Sequence, residues 1–163
     1  MFREISRSTK QILTEQECER ILEKATSGVL SVLGDDGYPY GVPMSYSYKE
    51  GKLYFHCMPR GHKFDAVRNY EKVSFTVIET DQVVPEEYTT YFRSVIVFGK
   101  VRIEEDPQKK REALMYLVEK YSADFMEGAH KEIESKLEAA GVFVVEAEHI
   151  SGKEAIEFAE NRK

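Results

Sequence analysis

The chain has 163 residues, of which 42% are hydrophobic and 32% are charged, a balance that fits a folded protein and excludes a disordered one. Its net charge of −6 disfavours a general attraction to nucleic acid or to an anionic membrane. No apolar run approaches the roughly 20 residues of a membrane span, and the charged N-terminal segment lacks the apolar core of a signal peptide. We therefore expect a cytoplasmic protein without nucleic-acid or membrane partners.

The first periodic segment predicts a helix that ends at about Thr26. Thr14 and Glu17 have the spacing of a capping box, in which each side chain satisfies the other residue's backbone amide. The apolar residues that follow recur with helical spacing: Cys18, Ile21, Leu22 and Ala25. Cys18 is expected to be a small core residue. Neither it nor Cys57 has a spacing typical of a metal site, and none is predicted.

From Gly28 onward the pattern changes to short strands. The segments are GVLSVL, the aromatic stretch 38–48 with its two prolines, and KLYFHC. Glycine-containing turns separate them, which predicts a three-stranded antiparallel meander. Residues 72–78 predict a further strand, followed by a polar loop over 79–87. The longest strand is predicted over Thr89–Ile103, with Gly99 as either a bulge or a point of close approach.

Helices are predicted around the later strands. Residues 64–69 predict one or two helical turns. Asp106 is expected to be an N-cap before Pro107 at the first helical position. A second helix is predicted over 124–139, stopping at Gly141, and a last strand over 142–150.

The elements together predict a mainly β fold, a six-stranded antiparallel barrel that is closed or nearly closed and carries helices. A doubly wound parallel sheet would need alternating strands and helices in the first half, which instead contains hairpins. We expect a single domain over residues 1–163, with a core from about 14 to 153 and a charged tail over 154–163.

One basic cluster stands out in the acidic chain. Arg60, His62 and Lys63 follow a turn and precede a short predicted helix. A helix N-terminus together with a lysine charge and an arginine fork can bind phosphate, although a solvated basic loop gives the same pattern. His56 lies in the KLYFHC strand, where it could be either a functional residue or a hydrogen-bonded structural histidine.

The run DGYPYGVPMSYSYKEGKLYFHCMPRGHKFDAVRNYEKVSF resembles the pyridoxamine 5′-phosphate oxidase-like FMN-binding split-barrel superfamily. Within it, the chain is most similar to the nitroimidazole-resistance (Nim) branch. The resemblance extends over about 28–153 and includes YFRSVIVFGKVR and EHISGKEA in the expected order. It implies a six-stranded split barrel and a homodimer with one FMN in each of two clefts at the subunit interface.

The resemblance places four segments around the flavin. The first would line the isoalloxazine and give it backbone hydrogen bonds, and the second would lie along the cofactor. The third would bind the phosphate, chiefly through its lysine, and the fourth would come from a neighbouring strand or the partner subunit. The segments are Met44, Ser45 and Tyr46; His56 and Cys57; Arg60, His62 and Lys63; and Ser94 and Val95.

The resemblance implies an FMN-dependent oxidoreductase of the nitroimidazole reductase type. NAD(P)H or another donor would reduce FMN, which would reduce a small acceptor such as a nitroaromatic compound. In the Nim branch a histidine corresponding to His56 lies beside the flavin, which makes His56 the candidate catalytic residue. A flavin-binding or flavin-storage protein without turnover is the main alternative, and a haem-binding split barrel is another. Vitamin B6 oxidation is not expected. The C-terminal segment of true pyridoxamine phosphate oxidases, with its tryptophan and the arginine and histidine that bind pyridoxal phosphate, has no counterpart in EHISGKEAIEFAENRK, and the chain contains no tryptophan.

Overall fold

The computed structural model describes residues 1–162, in which one antiparallel sheet is surrounded by helices. The strands are β1 (Gly28–Leu33), β2 (Pro39–Met44), β3 (Ser47–Lys49), β4 (Lys52–Cys57), β5 (Lys72–Val84), β6 (Thr89–Ile103) and β7 (Gly141–Glu154). The helices are α1 (Glu15–Lys24), α2 (His62–Asn69), α3 (Pro107–Tyr121), α4 (Ala129–Lys136) and α5 (Ile156–Asn161). None of the helices in this part of the chain is long and apolar enough to cross a bilayer.

The sheet has seven strands in the order β2-β1-β5-β6-β7-β4-β3, so the prediction of six strands is wrong. The segment 38–48 forms two strands instead of one. β2 pairs with β1 as far as Met44, and the chain then leaves that ladder and joins β4 at Ser47. β2 and β3 lie at opposite ends of the strand order, so the sheet is not closed.

The two long central strands also differ from the prediction. The prediction of a polar loop over 79–87 is wrong, because β5 continues to Val84. An irregularity lies between Ile78 and Thr80, and beyond it the strand still pairs with β6. Its polar residues belong to a two-stranded extension of the sheet.

The register shift opposite Phe98 and Gly99 lies in β7, where Glu148 is the extra residue. The close approach predicted at Gly99 is confirmed, because an added Cβ would overlap the Glu146 carbonyl.

The helix starts agree with the capping signals. The Thr14–Glu17 capping box is present, and the Asp106 carboxylate accepts the Lys109 amide at 2.9 Å. The single helix predicted over 124–139 is wrong. A 3-10 segment, Ala123–Gly128, joins α3 to α4, because the backbone is kinked at Phe125.

The core lies on one face of the sheet. Phe55, Phe75 and Phe143 meet there with the fully buried Tyr46, and Cys18 of α1 is buried against them as predicted. A second, smaller cluster lies on the opposite face of β4 and β7, where α3 packs. Its residues are Tyr54, Ala113, Leu114, Val142 and Val144. α3 therefore covers the outer face of β4.

The charged C-terminal segment is ordered onto the domain. Glu154 is fully buried, and its carboxylate lies 2.9 Å from Arg93 Nη2 and 2.5 Å from Arg162 Nη2. Arg162 also pairs with Glu17 of α1 at 2.9 Å. These pairs hold α5 against the N-terminal helix, because a buried carboxylate requires compensating charge.

Candidate functional site

The candidate site begins where the β2 ladder ends. β3 pairs with β4 with Ser47 opposite Tyr54. Continuing that antiparallel register by two residues brings Ser45 opposite His56. Both side chains are exposed and line the same cavity. Two segments that the sequence placed around one ligand are therefore adjacent in the structure.

The two neighbouring residues of β4 face opposite sides of the sheet, as strand alternation requires. His56 faces outward, beside the residues covered by α3. Cys57 faces inward and packs against the main core. Burial raises the pKa of the Cys57 thiol to about 11. The thiol is therefore protonated at neutral pH and is a poor nucleophile.

A cavity of about 290 Å³ opens between β4, α3 and α4. Its apolar wall consists of Leu114, Leu117 and Val118 of α3 and Ile133 of α4. The barrel side contributes Ser45 and His56. The cavity is therefore an apolar slot with polar groups along one wall, which is the usual construction of a small-molecule site.

An ion pair lies at the cavity wall formed by α4. The Lys136 ammonium contacts the Glu132 carboxylate one turn away, and both side chains are exposed. The Ser122 hydroxyl also lines the cavity. The charges along this wall therefore balance one another.

His56 is the titratable group at the centre of the site. Partial desolvation lowers the pKa of its imidazole, and the charges of Lys63 and Lys136 lower it further. The imidazole makes no hydrogen bond to any residue in 1–162. The structural interpretation of His56 requires a hydrogen-bonding neighbour, and the described part of the chain supplies none. The imidazole lines the cavity.

Tyr46 is a core residue, and its backbone is already bound within the chain. Its hydroxyl donates to the Leu22 carbonyl at 2.7 Å, and its amide donates to the Tyr121 hydroxyl at 2.9 Å. The Tyr121 hydroxyl also lies 2.6 Å from the Thr26 carbonyl and 2.9 Å from that of Tyr46. Met44 is likewise buried in the core. Of the first predicted segment, Ser45 is the residue whose side chain lines the cavity.

The basic cluster lies at the N-terminus of α2. Gly61 adopts φ 93° as the N-cap, and its carbonyl accepts the amides of Phe64 and Asp65 at 2.9 and 3.0 Å. Lys63 is half-buried and Arg60 is exposed. Among the salt bridges of residues 1–162, neither side chain is paired with a carboxylate. This end of α2 therefore has uncompensated positive charge beside a helix N-terminus.

His62 is engaged elsewhere. Its ring stacks on Tyr40 with centroids 4.2 Å apart, and its Nε2 accepts the Asp35 amide at 3.1 Å. The histidine thus ties α2 to the turn between β1 and β2. Sequence spacing grouped it with Lys63, but its side chain is bound in another direction.

Ser94 and Val95 do not join this site within one chain. Val95 is fully buried in the core. Ser94 pairs with Lys153 of β7, whereas His56 pairs with Val142. Those two β7 residues are eleven positions apart, which is roughly 35 Å along an extended strand.

Sequence analysis did not find the residues that complete the cavity. Leu114, Leu117 and Tyr121 recur with helical spacing, which indicates a helix and not a ligand site. Tyr121 is the last residue of α3, and nothing in its local sequence indicates that its hydroxyl meets the backbone of Tyr46, 75 residues away.

A family model described as pyridoxamine 5′-phosphate oxidase matches residues 14–154. The chain belongs to this family. The match covers the whole sheet and every residue of the candidate site, so the family assignment and the site concern the same part of the chain. No curated protein matches the chain.

Solved structures share the fold. A Bacteroides thetaiotaomicron protein with a proposed role in 5-nitroimidazole antibiotic resistance is 26% identical, with a TM-score of 0.72, over 87% of this chain and 85% of that one. An FAD-binding protein of Mesorhizobium loti is 26% identical, with a TM-score of 0.66, over 89% and 97%. A conserved hypothetical protein of Mycobacterium tuberculosis, 19% identical over 91% and 90%, has a TM-score of 0.78 and shows the likeness of fold alone.

Proposed function

We propose that this family member binds FMN and acts as an oxidoreductase on small acceptors such as nitroaromatic compounds. The observation that carries the proposal is the juxtaposition of an uncompensated basic helix end at Lys63 with an apolar cavity that opens on Ser45 and His56. Two solved structures at 26% identity support it, one tied to nitroimidazole resistance and one FAD-binding. When bound, FMN would supply the hydride and electron transfer.

The residues present fit FMN. Lys63 and Arg60 would hold the phosphate at the start of α2, where backbone amides and the helix dipole favour an anion. The charge of Lys63 reaches the His56 imidazole, whose pKa it lowers, so phosphate and ring sites lie on the same end of β4. Ser45 and His56 would then face the ring. The choice of FMN over riboflavin rests on this phosphate site.

The chain's own residues would prepare the site in two ways. α3 and α4 cover the outer face of β4 with Leu114, Leu117 and Ile133, which excludes water from the reacting groups. His56, which has no other partner in the described residues, would donate a hydrogen bond to an acceptor and relay a proton to it, with the other ring nitrogen taking up a proton from solvent. Its lowered pKa keeps the imidazole neutral near pH 7.

A homodimer would complete the site. Residues of three neighbouring strands that point away from the core share one face, because Val29 pairs with Thr76 and Ile78 pairs with Ser94. Ile78 is 65% exposed on this face, and Phe98 is also exposed. An apolar face of this kind favours association with a second copy. Ser94 would then meet the partner's flavin.

Steady-state kinetics test the proposal. The purified protein, loaded with FMN, should oxidise NADH or NADPH when 2-methyl-5-nitroimidazole is added, and the nitro absorbance should fall in parallel. FMN-loaded protein that oxidises neither nucleotide and leaves the nitro compound intact would contradict the catalytic part and leave a flavin-binding protein.

His56→Gln separates the proton-transfer role from a structural role. Gln keeps the hydrogen-bonding capacity but does not titrate. If His56 transfers a proton, turnover falls by roughly 100-fold or more while FMN affinity and melting temperature hold. If stability or FMN affinity falls first and turnover per bound flavin is unchanged, His56 is structural.

A flavin-binding protein without turnover is the second candidate, and one observation favours it. The His56 pKa is lowered and the Cys57 pKa is raised to about 11. Neither group is therefore charged and reactive near neutral pH. The nitroimidazole assay above distinguishes this candidate from an oxidoreductase, because both bind FMN and only one consumes the nucleotide.

A further inference from the structure

We propose that a groove between α1 and the β5–β6 pair binds a small organic monocarboxylate with a short aliphatic chain. The groove has a volume of about 310 Å³, which is enough for a small molecule. The carboxylate of the ligand would lie between Arg20 and Lys24, and its chain would cover Leu13 and Ile21. This binding requires no flavin.

The groove is far from the candidate flavin site. Arg93 of β6 lines it and pairs with Glu154 of β7, whereas His56 pairs with Val142. Those two β7 residues are twelve positions apart, which is roughly 40 Å along an extended strand. Arg93 and Ser94 are consecutive in β6, so their side chains face opposite sides of the sheet. The groove therefore lies on the other side of the sheet from the face that we propose for the dimer.

An ionic network holds the walls of the groove in place. Arg93 lies 3.5 Å from Glu79 of β5 and 2.9 Å from the buried Glu154. Arg162 lies 2.5 Å from Glu154 and 2.9 Å from Glu17 of α1. Each guanidinium is therefore already compensated by two carboxylates. The network preorganises the groove, but it does not provide the cation that a ligand would meet.

Two further cations line the groove outside this network. Arg20 and Lys24 are four residues apart on α1, so their side chains are neighbours on one face of the helix. The Arg20 Nε donates to the Gln16 carbonyl at 3.3 Å. Among the salt bridges of residues 1–162, neither side chain is paired with a carboxylate. Like charges at this spacing repel each other, and an anion between them would remove that repulsion.

The charge balance favours a ligand with one negative charge. The network has three carboxylates and two guanidiniums, so with the two cations of α1 the groove has one positive charge in surplus. A monocarboxylate compensates this charge. A second carboxylate on the ligand would lie against the apolar floor, where its desolvation is unfavourable.

The floor of the groove favours an aliphatic chain. Leu13 and Ile21 line it and belong to the main core. The methylene groups of Arg20 and Lys24 extend this apolar surface, because long cationic side chains lay their stems along it. A short chain placed there removes apolar surface from water, which is favourable.

NMR titration with three probes of the same chain length tests the charge selection. Hexanamide, hexanoate and adipate are neutral, singly anionic and doubly anionic at pH 7.5. We expect hexanoate to shift the methyl signals of Leu13 and Ile21 and to bind at least about threefold more tightly than either other probe, the scale of exposed ion pairs. Equal binding of hexanamide, equal or tighter binding of adipate, or unshifted methyl signals would overturn the proposal.

Variants locate the carboxylate of the ligand. The double variant Arg20→Gln, Lys24→Gln should weaken hexanoate binding at least about threefold, and each single variant should show part of this loss. Both side chains are exposed, so the melting temperature should hold. Lys131→Gln is the matched control, because Lys131 is an exposed lysine on α4, outside the groove. Unchanged hexanoate affinity in the single and double variants would overturn the proposal.

Titration of the FMN-loaded protein separates this site from the flavin site. Hexanoate should bind with the same affinity with and without FMN, because the two sites are far apart along β7. Displacement of FMN by hexanoate would place both ligands in one site and refute the separate groove. If the chain binds no flavin but selects hexanoate over hexanamide and adipate, the proposed function fails and the groove stands.

Discussion

The Tyr121 side chain holds in place a backbone segment that is distant from it in the sequence. Its hydroxyl meets the amide and carbonyl of Tyr46 at 2.9 Å each and the Thr26 carbonyl at 2.6 Å. Tyr46 lies between β2 and β3, where no strand supplies these bonds. The hydroxyl therefore fixes the backbone next to Ser45 and fastens the end of α3 to the barrel.

We predict that Tyr121→Phe loosens this connection without unfolding the protein. The loss of one hydroxyl that satisfies buried backbone groups costs about 1–2 kcal/mol. Exchange of the Tyr46 amide should become faster by about tenfold, and FMN affinity should fall by a similar factor. Tyr116→Phe on the same helix is the control, because the Tyr116 ring packs on Tyr54 at 5.0 Å and its hydroxyl makes no hydrogen bond within residues 1–162.

Unchanged Tyr46 exchange in Tyr121→Phe would contradict this role. Tighter FMN binding in the variant would show instead that the Tyr121 hydroxyl competes with the flavin for the Tyr46 backbone.

The titration of His56 provides a second test at this scale. Desolvation, Lys63 and Lys136 all lower its pKa below 6.5. The folded state therefore binds fewer protons than the unfolded chain as pH falls through 6.5, and this histidine makes the protein less stable below that pH. NMR of the imidazole C–H signals should give a His56 pKa below 6.5, and Lys63→Gln should raise it. A His56 pKa above 6.5, or one that does not respond to Lys63→Gln, would refute the electrostatic account.

The sequence alone could identify these residues, but not the directions in which their side chains point. Alternation places His56 and Cys57 on opposite faces, yet which of them faces the core depends on α3, a helix contributed by a distant segment. Arg60, His62 and Lys63 form one cluster by spacing, whereas His62 is bound to the Asp35 turn. The spacing of residues indicates which chemical groups lie close in the chain, but it does not indicate which distant residues their side chains contact.

At the scale of elements, Gly99 is a position where the backbone of β6 lies very close to the backbone of β7. A Cβ at Gly99 would lie 2.3 Å from the backbone carbonyl oxygen of Glu146. We predict that Gly99→Ala lowers the free energy of unfolding by about 1–3 kcal/mol, because the strand must shift to relieve this overlap. Gly128→Ala is the control, since nothing lies within 4 Å of its added Cβ. Urea unfolding measures both, and equal stability of Gly99→Ala and wild type would contradict the close approach.

The elements that sequence analysis predicted well are those with local signals. The Thr14 capping box, the Asp106 N-cap and the close approach at Gly99 are all confirmed. The extension of β5 was not predicted, because its polar residues are typical of a loop. In the structure they pair with β6. The segment 154–163 was predicted only as a charged tail. In the structure Arg162 pairs with Glu17 and Glu154.

At the scale of the whole molecule, the exposed apolar face of β1, β5 and β6 leads to a prediction about assembly. We expect a homodimer that buries about 2,000 Å² or more. Ile78→Lys should weaken the dimer, because Ile78 is a largely exposed apolar residue on this face. Tyr70→Lys, at an exposed apolar position just after α2, should not. Light scattering measures the mass, and a wild-type monomer at micromolar concentration with FMN bound would refute the shared site.

Two parts of the candidate site lie at the same end of β4. The basic end of α2 and the cavity under α3 meet at His56 on one end of β4, while Ser94 of β6 pairs with Lys153, near the other end of β7. The family match over 14–154 covers both regions. A cofactor with a phosphate at one end and a flat ring at the other fits this arrangement.

Comparison of FMN with riboflavin tests this central claim most directly, because the two differ only in the phosphate. Fluorescence titration of the apoprotein should show tighter binding of FMN. Lys63→Ala should weaken FMN by about 1.5–3 kcal/mol, the scale of a charge-assisted hydrogen bond, and leave riboflavin unchanged. Lys72→Ala, an exposed lysine at the start of β5, should change neither. Equal affinity for FMN and riboflavin in the wild type would contradict the phosphate site at Lys63.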